Sequence, residues 1–419
     1  MKAKFSGYTQ AFLCALITFS VGMSFGAYGM LLVPLSERLG CSIAAAGIPA
    51  TVETIAGFLV GLIGGGKLIQ KWSARRCVLI GAIIACLFVS SYMYLPSLGL
   101  LCVWEAITGA SMAFGYTNGM SAFISNWFIE RREQVLGIAI ASNSFGAAAG
   151  NWLFGMVHTK YGTGTTCAVF AALGGVAFLI YVFLLRNPEQ INQKPLGYEE
   201  AAKLAAEEGN SEGTVKFGIE FKEALKTPAL YMLMGSCLLW ALCMVVSPYL
   251  ATIMLTNGVE EMTAANFATI NNLTTAITAI GIGTLTSKLG PKSYVIVAFG
   301  SGILGLSALA LWLEVSRNAA TLLLASVLLG AGYVVGSTYG PMMATKTFGN
   351  KCYEYIINMI FAMRCIGLGV GLVLIPGLSE KMGTWFPSVI LGIVMLLGAI
   401  LLGLLAVAFS PMKKMHNKN

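Results

Sequence analysis

The 419 residues are 57% hydrophobic and only 11% charged, with a mean hydropathy of +0.78. Soluble domains sit near 45–50% apolar and about 25% charged, so the composition excludes a soluble globular chain and indicates a polytopic membrane protein. The formal charge is +8, yet all 18 acidic residues are Glu, and the lack of Asp removes every Asp-dependent metal, proton-relay or phosphoryl-transfer motif.

In chain order, Lys2 and Lys4 precede an apolar run reaching Leu32. That run is too long for a signal-peptide core and is expected to be a retained first helix. Twelve apolar segments are expected: about 9–32, 43–68, 77–95, 98–124, 135–157, 165–185, 229–255, 263–286, 293–313, 320–343, 355–377 and 384–409. Each is roughly long enough to cross the hydrocarbon core as a helix. The fold class is therefore an all-α membrane protein with twelve transmembrane helices. One polar stretch, 186–227, holds eight Glu and six Lys or Arg, and its centre, EEAAKLAAEEG from Glu199, has the composition of a short surface helix. It divides the chain into a six-helix bundle at 1–185, a linker at 186–228, a second bundle at 229–409 and a tail at 410–419.

Basic residues set the expected orientation. Of 26 Lys and Arg, 21 fall on the side holding both termini and four (Arg38, Lys160, Arg317 and Lys381) on the other, with Arg364 between. Both termini are expected to be cytoplasmic, in a cell membrane of bacterial inner-membrane type.

The cysteines, ten in all, show no CxxC spacing, and His158 and His416 lie in a loop and the tail. No metal, disulfide framework or cofactor is expected. There is no G-x-x-x-x-G-K-[ST] loop, so any work done across the membrane would draw on gradients or exchange. An intramembrane enzyme lacks a His–Glu metal pattern or a Ser–His pair. Nucleic acid is not an expected partner, and a monomer in lipid is.

The halves repeat. Gly66 to Arg75 and Gly283 to Lys292 align their leading glycines, central lysines and terminal cations at a constant interval of 217 positions. Gly109-Ala110 with Gly115 matches Gly330-Ala331 with Gly336. Two parallel six-helix repeats describe a two-domain carrier. The two loops resemble the G-x-x-x-D-[RK]-x-G-[RK]-[RK] signature of the major facilitator superfamily, and Lys71, Arg75, Lys288 and Lys292 are its candidate gating cations. Both copies lack the signature acid, with Gln70 and Ser287 in its place, and the first also replaces a glycine by Ser73. A narrower resemblance is to the oxalate–formate antiporter and monocarboxylate porter branch. Pro34 with Leu39-Gly40 and Ser42, Asn126-Trp127-Phe128 with Arg132 and Gly137, and Phe221 to Pro228 carry it.

The eleventh segment, from Tyr355 to Gly377, has one cation, Arg364, near its centre. A guanidinium at that depth is costly and is normally held in a protein interior or a water-filled cavity. It suits an anion site, or a structural arginine paired with a buried glutamate. Resemblance to the antiporter places Arg364 at a substrate-binding lysine and Tyr333 at an aromatic pocket residue, with Ala279 where a second substrate cation stands. One planar fork of donors suits a single carboxylate, which implies a monocarboxylate. Glu53 and Glu105 lie at membrane depth, as proton carriers or as the counter-ion of Arg364. Asn271, Thr275 and Thr278 share one helix face, lining a cavity or joining helices. Phe25, Tyr28, Tyr116 and Trp240 would wall an apolar substrate or serve as packing. Gly57, Gly61 and Gly65, and Gly146 and Gly150, make small-residue stripes for close packing.

The expected function is secondary transport of a small organic anion, by antiport or proton symport. The rivals are a proton-coupled exporter of hydrophobic compounds, in which a glutamate is essential and Arg364 dispensable, and a transporter-like ligand sensor.

Overall fold

In hydrocarbon the backbone must satisfy its own hydrogen bonds, which leaves helices for a chain patterned like this one. The computed structural model describes residues 2–63, 71–128, 132–191, 193–194, 196, 218–349 and 351–412. The expected linker helix from Glu199 and the loop residues Lys67 and Gln70 lie outside them.

Over its described residues, every expected apolar segment is mainly helical. Helices α1 (Lys2–Gly26) and α2 (Tyr28–Leu39) cover the first, and α3 (Ile43–Ala46) with α4 (Ile48–Ile63) the second. The third is α5 (Ala74–Cys86) with α6 (Phe88–Tyr94). The fourth runs through α7 (Leu98–Ser111), a π-helical stretch Met112–Gly119 and α8 (Met120–Trp127). Helix α9 (Arg132–Leu184) carries the fifth and sixth, with Gly162 at φ 74°, ψ −176° between them. The short α10 (Phe221–Ala224) lies near the end of the linker, and α11 (Pro228–Cys243) and α12 (Leu250–Thr256) follow. Then follow α13 (Glu261–Lys288), α14 (Pro291–Glu314), α15 (Ala319–Phe348), α16 (Tyr353–Met382) and α17 (Phe386–Ala408).

Ten helices of the described residues are long and apolar enough to span a membrane. The two expected segments in α9 count as one, and α13, with three Asn and seven Thr, is less hydropathic.

The helices form two compact units, Met1–Leu31 with Ala56–Thr214, and Leu32–Ile55 with Val215–Asn419. They depart from the sequence halves at residues 32–55. Those residues pack on α16: the Thr51 hydroxyl donates to Gly369 O at 2.8 Å, and Ala44 N–H donates to the Glu380 carboxylate at 2.8 Å. Nearby, a side chain on Gly47 would meet the Tyr249 hydroxyl at 2.5 Å, where Tyr249 donates to Leu372 O.

In the first unit, α1 and α9 meet through reciprocal glycines. A Cβ on Gly22 would fall on Asn143 O, and one on Gly146 or Gly150 on the carbonyls of Phe19 or Met23. The Asn143 amide donates to Thr18 O at 3.3 Å across the same seam. Lipid tails are as apolar as leucine, so contacts of this kind, and not water exclusion, hold such helices together.

The two ends of the linker are tied down alike, each within its own unit. Leu196 N–H donates to Trp127 O at 2.8 Å, and Ile219 N–H donates to Phe348 O at 3.2 Å. Position 348 follows 127 by 221, the interval that also separates Gly109 from Gly330. At the second end Lys351 donates to Glu220 at 3.0 Å, which holds that carboxyl below its ordinary pKa, and Phe221 stacks on Tyr355 at 4.9 Å.

Candidate substrate-binding site

Arg364, Gly367 and Gly371 recur at i, i+3 and i+7 on α16, one face of that helix. The glycines let that face press on α11. A Cβ on Gly367 would lie 2.6 Å from Leu238 O and 2.8 Å from the Ala241 Cβ. Close approach there brings Arg364 onto Trp240, and the guanidinium carbon stands 5.3 Å from the indole centroid. A cation over an indole at that distance is worth about 0.5–2 kcal/mol, more when desolvated. Helix α15 supplies the third wall. Its Tyr333 ring lies 5.9 Å from that of Trp240, and Gly336, one turn on, faces the indole edge.

Trp240 is 2% exposed, and Arg364 is partly buried. Neither the Arg364 Nε nor the Trp240 Nε1 has a hydrogen-bond acceptor among the described residues. Burying a donor unsatisfied costs about 1–3 kcal/mol, and more for a charged group. The Arg364 Nε donor is thus buried without a matching acceptor among the described residues. Glu53, on α4, lies in the same unit and is partly buried, yet no salt bridge joins it to Arg364 among the described residues. Glu105 is fully buried on α7 in the other unit.

Other expected residues have structural occupations here. Asn271 is 4% exposed, accepting from Ser247 at 3.1 Å and donating to Ser326 O at 3.0 Å. Thr275 is 7% exposed and donates to Asn271 O and Gly330 O, at 3.0 and 3.1 Å. Their shared face joins α13 to α15. Tyr28 is 8% exposed and closes an aromatic column, with Tyr28–Tyr92 at 6.0 Å, Phe88–Tyr92 at 4.8 Å and Phe25–Phe88 at 4.2 Å. Tyr116 sits in the π-helical stretch and packs on the hydrophobic core of the first unit.

Among the candidate gating cations, Arg75 donates to Leu185 O at 2.6 Å and Val182 O at 2.7 Å, capping the carboxyl end of α9. Lys71 and Lys292 are exposed, and the Lys288 side chain lies outside the described atoms. Ser73, which stands where the signature has glycine, has φ 72° and ψ 147°, a backbone region otherwise used by glycine.

Sequence reasoning missed two features: Trp240 as the platform for the guanidinium, and Gly336 as the gap that admits it. The repeat gave a partial signal, because Gly336 answers to Gly115. In the first unit, however, a Cβ at Gly115 would lie 2.6 Å from Cys77 O and so serves helix packing.

Two compact units of apolar helices, with Arg364 over the Trp240 indole in the second of them, are the architecture of a polytopic membrane protein. The chain belongs to the Major Facilitator Superfamily, whose family model matches residues 14–372. It is a transporter of that family and not an enzyme. Among solved structures, the crystal structure of a point mutant of the nucleoside transporter NupG is similar in fold, with a TM-score of 0.70. The likeness covers 96% of this chain and 99% of that one at 15% identity. No curated protein is significantly similar to the chain.

Proposed function

We propose that the protein carries a small organic anion, a monocarboxylate, by alternating access. The observation behind this reading is the Arg364 guanidinium, set over Trp240 with its Nε buried and without an acceptor among the described residues. A planar fork of that kind recognises one carboxylate bidentately. Tyr333 belongs to the pocket as its aromatic wall, and the aromatic surroundings favour a carboxylate with an apolar body. The narrower resemblance to the oxalate–formate and monocarboxylate branch supports the same substrate class. A nucleoside, the substrate named for the similar structure, is uncharged at neutral pH and would leave the guanidinium without a counter-ion.

Uptake into proteoliposomes of formate, benzoate and uridine, with and without a pH gradient or internal anion, tests the proposal. Saturable benzoate uptake without uridine uptake is expected, and the reverse would overturn it. Glu53 and Glu105 are the candidate proton carriers. Replacing the coupling residue by Gln is expected to abolish gradient-driven accumulation while sparing exchange. Accumulation retained in both Glu53→Gln and Glu105→Gln removes them from coupling.

The 21-to-4 division of basic residues places both termini in the cytoplasm under this reading. In a background with the native thiols replaced, an impermeant maleimide is expected to reach Lys381→Cys in intact cells. Lys414→Cys should react only after permeabilisation, and its labelling in intact cells would reverse the orientation.

A further inference from the structure

We propose that Gly336 is a positioning residue for the Arg364 site: its missing side chain leaves the notch that seats the Trp240 indole beneath the guanidinium. The inference rests on the reading of Arg364 as the carboxylate site and adds a determinant one helix away from the charge. A Cβ built on Gly336 falls on the indole itself, nearest Nε1, with Cδ1 and Cε2 each 2.5 Å away. Non-bonded heavy atoms settle near 3.5–4.0 Å, so a methyl group there must displace either helix α15 or the indole by about 1–2 Å.

Helix α15 is not free to withdraw. On one side Gly330 abuts Asn271 O of α13, where Thr275 also donates to Gly330 O at 3.1 Å. On another, a Cβ on Gly332 would meet the Gly302 Cα of α14 at 2.7 Å. A turn beyond the notch, a Cβ on Gly340 would meet the Ile360 Cγ2 of α16 at 2.7 Å. Three neighbours thus hold α15 close on either side of position 336, and the indole is the part that moves. Its ring carries Arg364 at 5.3 Å and flanks Tyr333 at 5.9 Å, so its displacement shifts the guanidinium and narrows the aromatic wall together. Gly336 thereby sets where the carboxylate is held and how much room remains beside it.

Gly336→Ala is expected to weaken benzoate binding about ten-fold or more, read as loss of benzoate-induced thermal stabilisation in protein that still extracts in folded form. Gly281→Ala, at a helical glycine whose Cβ meets open space, controls for the change in helix flexibility. Trp240→Phe shortens the ring and removes its Nε1 edge, so the double variant Gly336→Ala/Trp240→Phe is expected to bind benzoate as Trp240→Phe does. Parental affinity in Gly336→Ala, or a double variant ten-fold weaker than Trp240→Phe, overturns the proposal. If Gly336→Ala yields no folded protein, the double variant decides: folding with the affinity of Trp240→Phe supports the notch, and failure to fold overturns it. Arg364→Gln is measured alongside. Parental benzoate affinity in that variant defeats the site reading itself, whereas its loss together with an unaffected Gly336→Ala defeats only the role of Gly336.

Discussion

Arg364→Gln is expected to weaken carboxylate binding roughly 10- to 150-fold. Hydrogen bonds to charged groups are worth about 1.5–3 kcal/mol net, and each 1.4 kcal/mol is a factor of ten. Arg364→Lys keeps the charge but loses the planar fork whose central carbon lies over Trp240, and should retain part of the affinity. A purely structural arginine makes a different forecast. Paired with a buried glutamate, its loss would strand that carboxylate and leave little folded protein in the membrane in both variants. Expression, substrate-free melting temperature and stabilisation by benzoate are therefore measured together. Normal expression with lost stabilisation supports the site. Normal expression with parental affinity in Arg364→Gln removes Arg364 from it, and the proton-coupled exporter of hydrophobic compounds becomes the better reading.

Gly146→Leu is expected to cost about 3 kcal/mol or more and to leave little folded protein in the membrane. Position 146 faces the Phe19 carbonyl of α1 at the distance of a missing Cβ, inside a seam that Gly22, Gly26 and Gly150 share. Inserting side-chain atoms into a packed interface typically costs about 1–3 kcal/mol, and leucine here would prise apart two backbones in place of shifting a rotamer. The seam's polar link, Asn143 to Thr18 O at 3.3 Å, would go with it. Gly175→Leu is the control, because a Cβ there meets nothing within 4 Å on the same helix. The measurement is the monodisperse fraction after detergent extraction and graded heating. A Gly146→Leu protein that extracts and melts like the parent would show the seam to be dispensable.

The stripe at Gly146 and Gly150 was readable as close packing because glycine at i and i+4 exposes helix backbone on one face. Its partner was not, since a small-residue face fits several helices equally well. Arg364 stood out for the same kind of reason: a lone cation in an apolar helix is conspicuous wherever its neighbours lie. Asn271 and Thr275 were readable as one face of a helix. Whether that face met a cavity or a neighbour depended on α15, whose Ser326 and Gly330 carbonyls lie some 55 positions away and take up those donors.

What the sequence determined by itself is the part governed by local physics. A bilayer core demands runs of about 20 apolar residues with internally satisfied backbones, so the all-helical membrane fold and most helix boundaries were legible, whereas the first run, expected at 9–32, extends through α1 and α2 from Lys2 to Leu39. The structure alone decided which faces meet. Residues 32–55 are contiguous with the first half in sequence, yet they cluster with the second unit through Thr51 and Gly369. Trp240, Gly336 and Arg364 come from three helices spread over more than 120 positions, and no periodicity along one helix encodes its distance to another. Their assembly follows from glycines that admit one particular backbone or ring, a steric match that exists only once the helices are packed.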